Sequence, residues 1–131
     1  MHIARRAVLA GLFITAVIGG SAANAAERMT YEAKAFQAAQ NSGKSILVHV
    51  TAPWCPECKI AKPIVADLAN RPEFKSLTIV EVDFDTQKDA LLALMVARQS
   101  TLITFKGKVE TGRSVGVTSR EGIQELMNKA I

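Results

Sequence analysis

The stretch Ala52-Pro53-Trp54-Cys55-Pro56-Glu57-Cys58-Lys59 holds both cysteines of the 131-residue chain, and its reading decides the fold. Two cysteines separated by two residues at the start of a helix lie a turn apart on one face. That is close enough to form a disulfide or to chelate a soft metal. The preceding run, Ser45-Ile46-Leu47-Val48-His49-Val50, is apolar and β-branched enough for a buried strand, which Pro53 ends. A helix is expected from Cys55 onward. Pro56 suits its first turn, where a missing N–H costs nothing and a fixed φ is already helical, so Cys55 falls at or next to the N-cap. A sulfur there meets the positive end of the helix dipole and unpaired N–H groups. Both favour thiolate over thiol and make Cys55 the expected nucleophile. Cys58, one turn deeper, is expected to be more buried and to resolve the mixed disulfide. Lys59 supports the thiolate and Glu57 opposes it.

Trp54-Cys55-Pro56-Glu57-Cys58-Lys59 resembles the active site of the thioredoxin family. Further matches extend the likeness. Pro63 falls where thioredoxins carry the proline that kinks the active-site helix. Thr101-Leu102-Ile103-Thr104-Phe105-Lys106-Gly107 resembles the strand and turn entering their final hairpin, and Gly116 resembles the glycine that closes it. The similarity runs over roughly the last 90 residues, from Gly43 onward, which suits one compact domain. It implies a thiol–disulfide oxidoreductase that uses no cofactor and acts on disulfide-bearing proteins as a monomer. Trp54, Pro56, Ser100 and Thr101 are its implied substrate-binding positions.

The chain starts with an address. Arg5 and Arg6 form a basic n-region, Ala7 to Ile18 is apolar and uncharged, and Ala23-Asn24-Ala25 offers a small-residue cleavage site. Residues 1–25 are therefore expected to be a signal peptide for export, and 26–131 the mature domain. An uncleaved membrane anchor is the alternative. Cleavage leaves 106 residues with 14 Lys and Arg against 12 Asp and Glu, enough for one core and nothing more. The basic residues are scattered without interleaved aromatics, which sets nucleic-acid binding aside. Export implies a periplasmic, oxidising setting in which two cysteines could be a structural bridge. Such bridges usually close longer loops, because a two-residue spacer constrains the unfolded chain very little.

Thr30 to Gln40 reads as a helix capped by Thr30 and stopped by Asn41-Ser42-Gly43. The second helix is expected to reach about Asn70, burying Ile60, Ile64, Val65 and Leu68, with a kink at Pro63 and an end at Arg71-Pro72. Leu77 to Phe84 is a strand, Gln87 to Ala97 a helix, and Thr101–Phe105 with Val109–Val115 a hairpin. Thr118-Ser119-Arg120-Glu121 offers a capping box for a last helix. The order α-β-α-β-α-β-β-α predicts an α/β thioredoxin fold, a mixed central sheet with flanking helices.

Three positions depart from the family pattern. His49 stands where thioredoxins carry a buried aspartate that helps move the resolving cysteine's proton, and Glu81 matches a position where many carry lysine. The expectation is that His49 and Glu81 bond to each other behind Cys58 and shuttle its proton, a task suited to imidazole. The alternative is a core histidine satisfied by backbone carbonyls. Ser100 replaces the cis-proline that ordinarily precedes the threonine matching Thr101. A cis bond before a non-proline residue costs about 2.5–4 kcal/mol, so Gln99–Ser100 is expected to be trans. The missing ring is expected to uncover the sulfurs, and a proline at 100 to restore the family's shape.

The preferred function is an exported protein-disulfide reductase, because Glu57 places negative charge near the thiolate. Reducing power in an oxidising compartment implies a membrane thiol donor of electrons. The alternative is an exported soft-metal binding module holding Cu(I) between Cys55 and Cys58.

Overall fold

The computed structural model describes residues 25–131. The export signal expected at 1–25 lies, apart from Ala25, outside the described residues. The elements are β1 (Glu27–Thr30), α1 (Ala33–Asn41), β2 (Ser45–Thr51), α2 (Pro56–Ala69), a single 3-10 turn (Pro72–Phe74), β3 (Leu77–Asp83), α3 (Lys88–Ala93), β4 (Thr101–Lys106), β5 (Val109–Val115) and α4 (Arg120–Asn128).

They form one five-stranded sheet in the order β1-β3-β2-β4-β5. β1, β3 and β2 are parallel, and β4 and β5 each run antiparallel to the strand before them in that order. β2 is central because its residues are apolar on both faces, which only a strand covered on both sides tolerates. Leu47 joins Ala61, Val65 and Leu68 of α2 and Ile123 and Met127 of α4 in one apolar layer. Ile46, Val48 and Val50 pack into the opposite layer with Phe36 of α1 and Leu91 of α3. Alternation along β2 therefore turns His49 toward the α2 side.

The mixed sheet with flanking helices is the expected architecture, with an additional strand at the front. Glu27 to Thr30 is a short, charged edge with a single apolar residue. It becomes a strand only because β3 offers it a ladder, with Tyr31 N–H donating to Glu81 O at 2.8 Å. This takes Thr30 out of the expected α1 cap. Glu32 caps instead, accepting from the amides of Lys34 and Ala35 at 3.2 and 2.8 Å.

Other boundaries shift for local reasons. α3 ends four residues before the expected Ala97, since Met95 adopts a left-handed φ of 53°. Arg113 of β5 takes up the freed carbonyls of Leu94 and Met95 at 2.9 and 3.1 Å. Ser119 rather than Thr118 caps α4, accepting from Gly122 N–H at 3.1 Å. On α2 the buried stripe is Cys58, Ala61, Val65 and Leu68, whereas the expected Ile60 is 52% exposed. At 3.6 residues per turn Ile60 lies about 200° around the helix from Cys58, so turning both cysteines inward turns Ile60 out. Pro63 lies inside α2.

Candidate active site

The site is built where β2 ends and α2 begins. Cys55 is the N-cap of α2, with extended backbone (φ −78°, ψ 115°), and Pro56 opens the first turn. The Cys55 sulfur accepts the Cys58 N–H at 3.1 Å, occupying a helix-terminal amide that would otherwise have no partner. Cys55 and Cys58 are joined in a disulfide, their Cα atoms 5.3 Å apart. The sequence places Cys58 deeper than Cys55, yet both are buried, at 1% and 0% exposure. Ala52 and Phe84 pack with the pair in a small apolar cluster of their own. Glu57, in the first turn, brings its Oε2 to 3.8 Å from the Cys55 sulfur.

Trp54 lies half-exposed beside the dithiol, and the turn after β3 holds it there. Asp83 accepts the amides of Asp85 and Thr86 at 2.8 and 3.0 Å, closing a tight turn. The Thr86 amide, first among several causes, keeps the Asp83 carboxyl below its ordinary range. Asp85 is thereby aimed at the Trp54 indole N–H, 3.0–3.1 Å from its two carboxylate oxygens. Phe84 meets the indole edge to face at 6.3 Å between centroids, and Lys88 lies 4.7 Å over the Phe84 ring. Asp85 falls just past the strand expected to end at Phe84, and the sequence alone gives it no role. An acidic residue two positions before it, in Asp83-Phe84-Asp85-Thr86, was the available signal of a side-chain-closed turn.

His49 and Glu81 stand opposite each other in the parallel β2–β3 register, but the expected bond between them is absent. Glu81 is partly exposed and pairs with Arg28 of β1 at 3.6 Å. His49 is 1% exposed, and its Nε2 has no hydrogen-bond partner among the described residues. The carboxylate prefers the cation at the wet edge, because leaving water for a buried imidazole would strip its hydration. Burial, reinforced by the charges of Lys62 and Arg28, lowers the His49 pKa to about 4. A groove of about 380 Å³, lined in part by Thr51, Lys62, Glu81 and Asp83, opens along this side of the sheet.

Ser100 follows a trans peptide bond, as expected, and has a left-handed φ of 57°. Its N–H donates to Val50 O at 2.8 Å and its carbonyl accepts Gly116 N–H at 2.9 Å. The same Val50 oxygen lies 3.9 Å from the Cys58 sulfur, so Ser100 and Cys58 adjoin one carbonyl at the end of β2. Ser100 is buried and its Oγ has no partner among the described residues. Thr101, the next residue, turns its hydroxyl back to Arg98 O at 2.6 Å. The expectation that loss of the proline ring would uncover the sulfurs is overturned, since both are enclosed. An open pair of sulfurs, which would suit Cu(I) capture, is not what this enclosed disulfide presents. Among the described residues no group of three or more His, Cys, Asp or Glu is placed to hold a metal ion. Pro56 is exposed on the rim.

The arrangement is that of a dithiol poised for exchange: one sulfur at a helix N-terminus, its partner a turn away, and an aromatic rim. Comparison with known proteins agrees. The family model described as Thioredoxin matches residues 27–129. Thioredoxin from Bacillus subtilis is 33% identical over 91 residues, which is 70% of this chain and 86% of that protein. Thioredoxin H-type from Fagopyrum esculentum is 32% identical over 91 residues, 70% of this chain and 77% of that protein. Among solved structures, Trxlp from Edwardsiella tarda superposes with a TM-score of 0.75 at 39% identity, over 77% of this chain and 98% of that one. With the motif, the disulfide and these likenesses in agreement, the chain belongs to the thioredoxin family of thiol–disulfide oxidoreductases.

Proposed function

We propose that the protein is an exported protein-disulfide reductase that draws its electrons from a membrane thiol donor. Cys55 attacks a client disulfide and forms a mixed disulfide. Cys58 then displaces the client, now carrying two thiols, and leaves the Cys55–Cys58 disulfide for the donor to reduce. The observation that carries the direction is the Glu57 carboxylate 3.8 Å from the Cys55 sulfur. Negative charge there disfavours the thiolate of the reduced form and pushes the couple toward giving up electrons. Export is supported by the basic, apolar and small-residue sequence of positions 1–25.

His49 is assigned the proton of Cys58. Its imidazole is neutral at physiological pH, is buried on the α2 side and has an unengaged Nε2. It passes the Cys58 proton on as the thiolate forms and does not keep it, because burial disfavours the imidazolium. Glu81 keeps no direct part in that transfer, being committed to Arg28.

Equilibration of the purified protein with glutathione buffers tests the direction. The expected potential lies nearer about −270 mV, as in thioredoxin, than about −120 mV, as in strong periplasmic oxidants. A value above roughly −170 mV would make the protein an oxidant and overturn the assignment.

A further inference from the structure

Ser100 has two unfavourable features at once. A left-handed backbone is uncommon for a residue with a Cβ and has a steric cost. A buried hydroxyl without a partner loses its hydration and gains nothing in exchange. Both fall on the residue whose amide shares the Val50 carbonyl with Cys58. They are present with the dithiol oxidised. Each sulfur of a disulfide is bonded to two heavy atoms, has no proton and no charge, and accepts hydrogen bonds weakly.

Reduction changes the sulfur that adjoins the same Val50 carbonyl as Ser100. Two electrons and two protons open the Cys55–Cys58 bond, and two molecules of a thiol such as glutathione supply them and leave as their own disulfide. Cys58 then offers a thiol, or a thiolate while it resolves a mixed disulfide. A thiolate takes a charge-assisted hydrogen bond from a nearby O–H. Serine reaches different sites through three staggered rotamers, so its Oγ can turn toward the sulfur while the backbone stays tied to Val50 and Gly116. From this we infer that Ser100 is a hydrogen-bond donor to the reduced Cys58 sulfur. It stabilises the dithiol relative to the disulfide and moderates the reducing bias set by Glu57. The inference rests on the oxidoreductase reading and deepens it by naming a second residue that sets the potential.

The test compares the wild type with Ser100→Ala and Ser100→Gly in glutathione buffers. Both variants lack the hydroxyl, but only glycine also relieves the left-handed backbone. Each is expected to shift the equilibrium constant about tenfold toward the disulfide, which for two electrons is about 30 mV. In denaturant, the oxidised form of the glycine variant should gain stability and its reduced form should gain less. An unchanged constant, an opposite shift, or a shift in the glycine variant alone would overturn the inference and leave the couple itself intact. Should the alanine variant fail to fold, the glycine variant's two stabilities still decide, because equal gains in both redox states would mark a purely structural hydroxyl. A wild-type protein that never equilibrates with glutathione would instead overturn the oxidoreductase reading, and the inference with it.

Discussion

At the scale of single residues the cysteines were legible and their neighbours less so. Cys-x-x-Cys after an apolar strand announces itself by spacing, and Pro56 places the N-cap. His49 could be recognised as buried, since it sits inside an apolar run, but its partner could not. Register brings Glu81 opposite it, yet the carboxylate's preference for Arg28 depends on a strand, β1, that has no apolar signature.

Solitary burial of His49 has a consequence for stability. Its folded pKa, about 4, lies below the unfolded value of 6.5, so between those limits the unfolded chain binds more protons. Stability therefore rises with pH across that window and falls as pH drops from 6.5 toward 4. The full difference is on the order of 3 kcal/mol. Urea unfolding at pH 7 and pH 4.5 should show most of it, and His49→Leu should flatten the profile over that range.

The two cysteines divide their labour by position. Only Cys55 caps the helix, so Cys58→Ser should accumulate mixed disulfides with client proteins and Cys55→Ser should not. Non-reducing gels after expression read this directly, and equal trapping would count against the assigned order of attack. At Ser100 the structure reverses an expectation. Proline cannot adopt a φ of 57° and has no N–H for Val50. Ser100→Pro should thus destabilise the fold by about 1–3 kcal/mol or more unless the loop rebuilds, and a lowered urea midpoint is the expected result.

Among the elements, those with their own hydrophobic period were foreseeable, and those made by tertiary contact were not. β2, α2, β3 and the β4–β5 hairpin appear close to their sequence limits. The early end of α3 depends on Arg113, eighteen residues beyond Met95, and no local pattern could show it. That guanidinium joins the carbonyls of Leu94 and Met95, just past α3, to Glu110 of β5, 2.7 Å away. Arg113→Ala should cost about 1.5–3 kcal/mol, the range for hydrogen bonds to a charged group. Denaturant midpoints check the loss. Glutathione equilibria should stay unchanged, because Arg113 touches no residue of the dithiol.

For the molecule as a whole, the described body is tied down from Ala26 onward. Its N–H donates to Ala69 O at 3.0 Å, and its side chain packs against the layer shared by α2 and α4. Cleavage after Ala25 would leave that contact in place. Expression of the full chain in a bacterial host with a periplasm should thus give a product whose mass begins at Ala26. An intact leader in the membrane fraction would mean that the segment serves as an anchor.

The central position of β2 also sets how the molecule breathes. Amides of a middle strand, covered on both faces and bonded on both edges, exchange their hydrogens with solvent only through opening of much of the fold. Those of a short exposed margin such as β1 exchange through local fraying. The Val50 carbonyl and the entry to α2 both hang from the far end of that central strand. In deuterium labelling β2 should therefore be the last strand to take up solvent hydrogen. Exchange with a client then takes place at a dithiol anchored to the most protected strand of the protein.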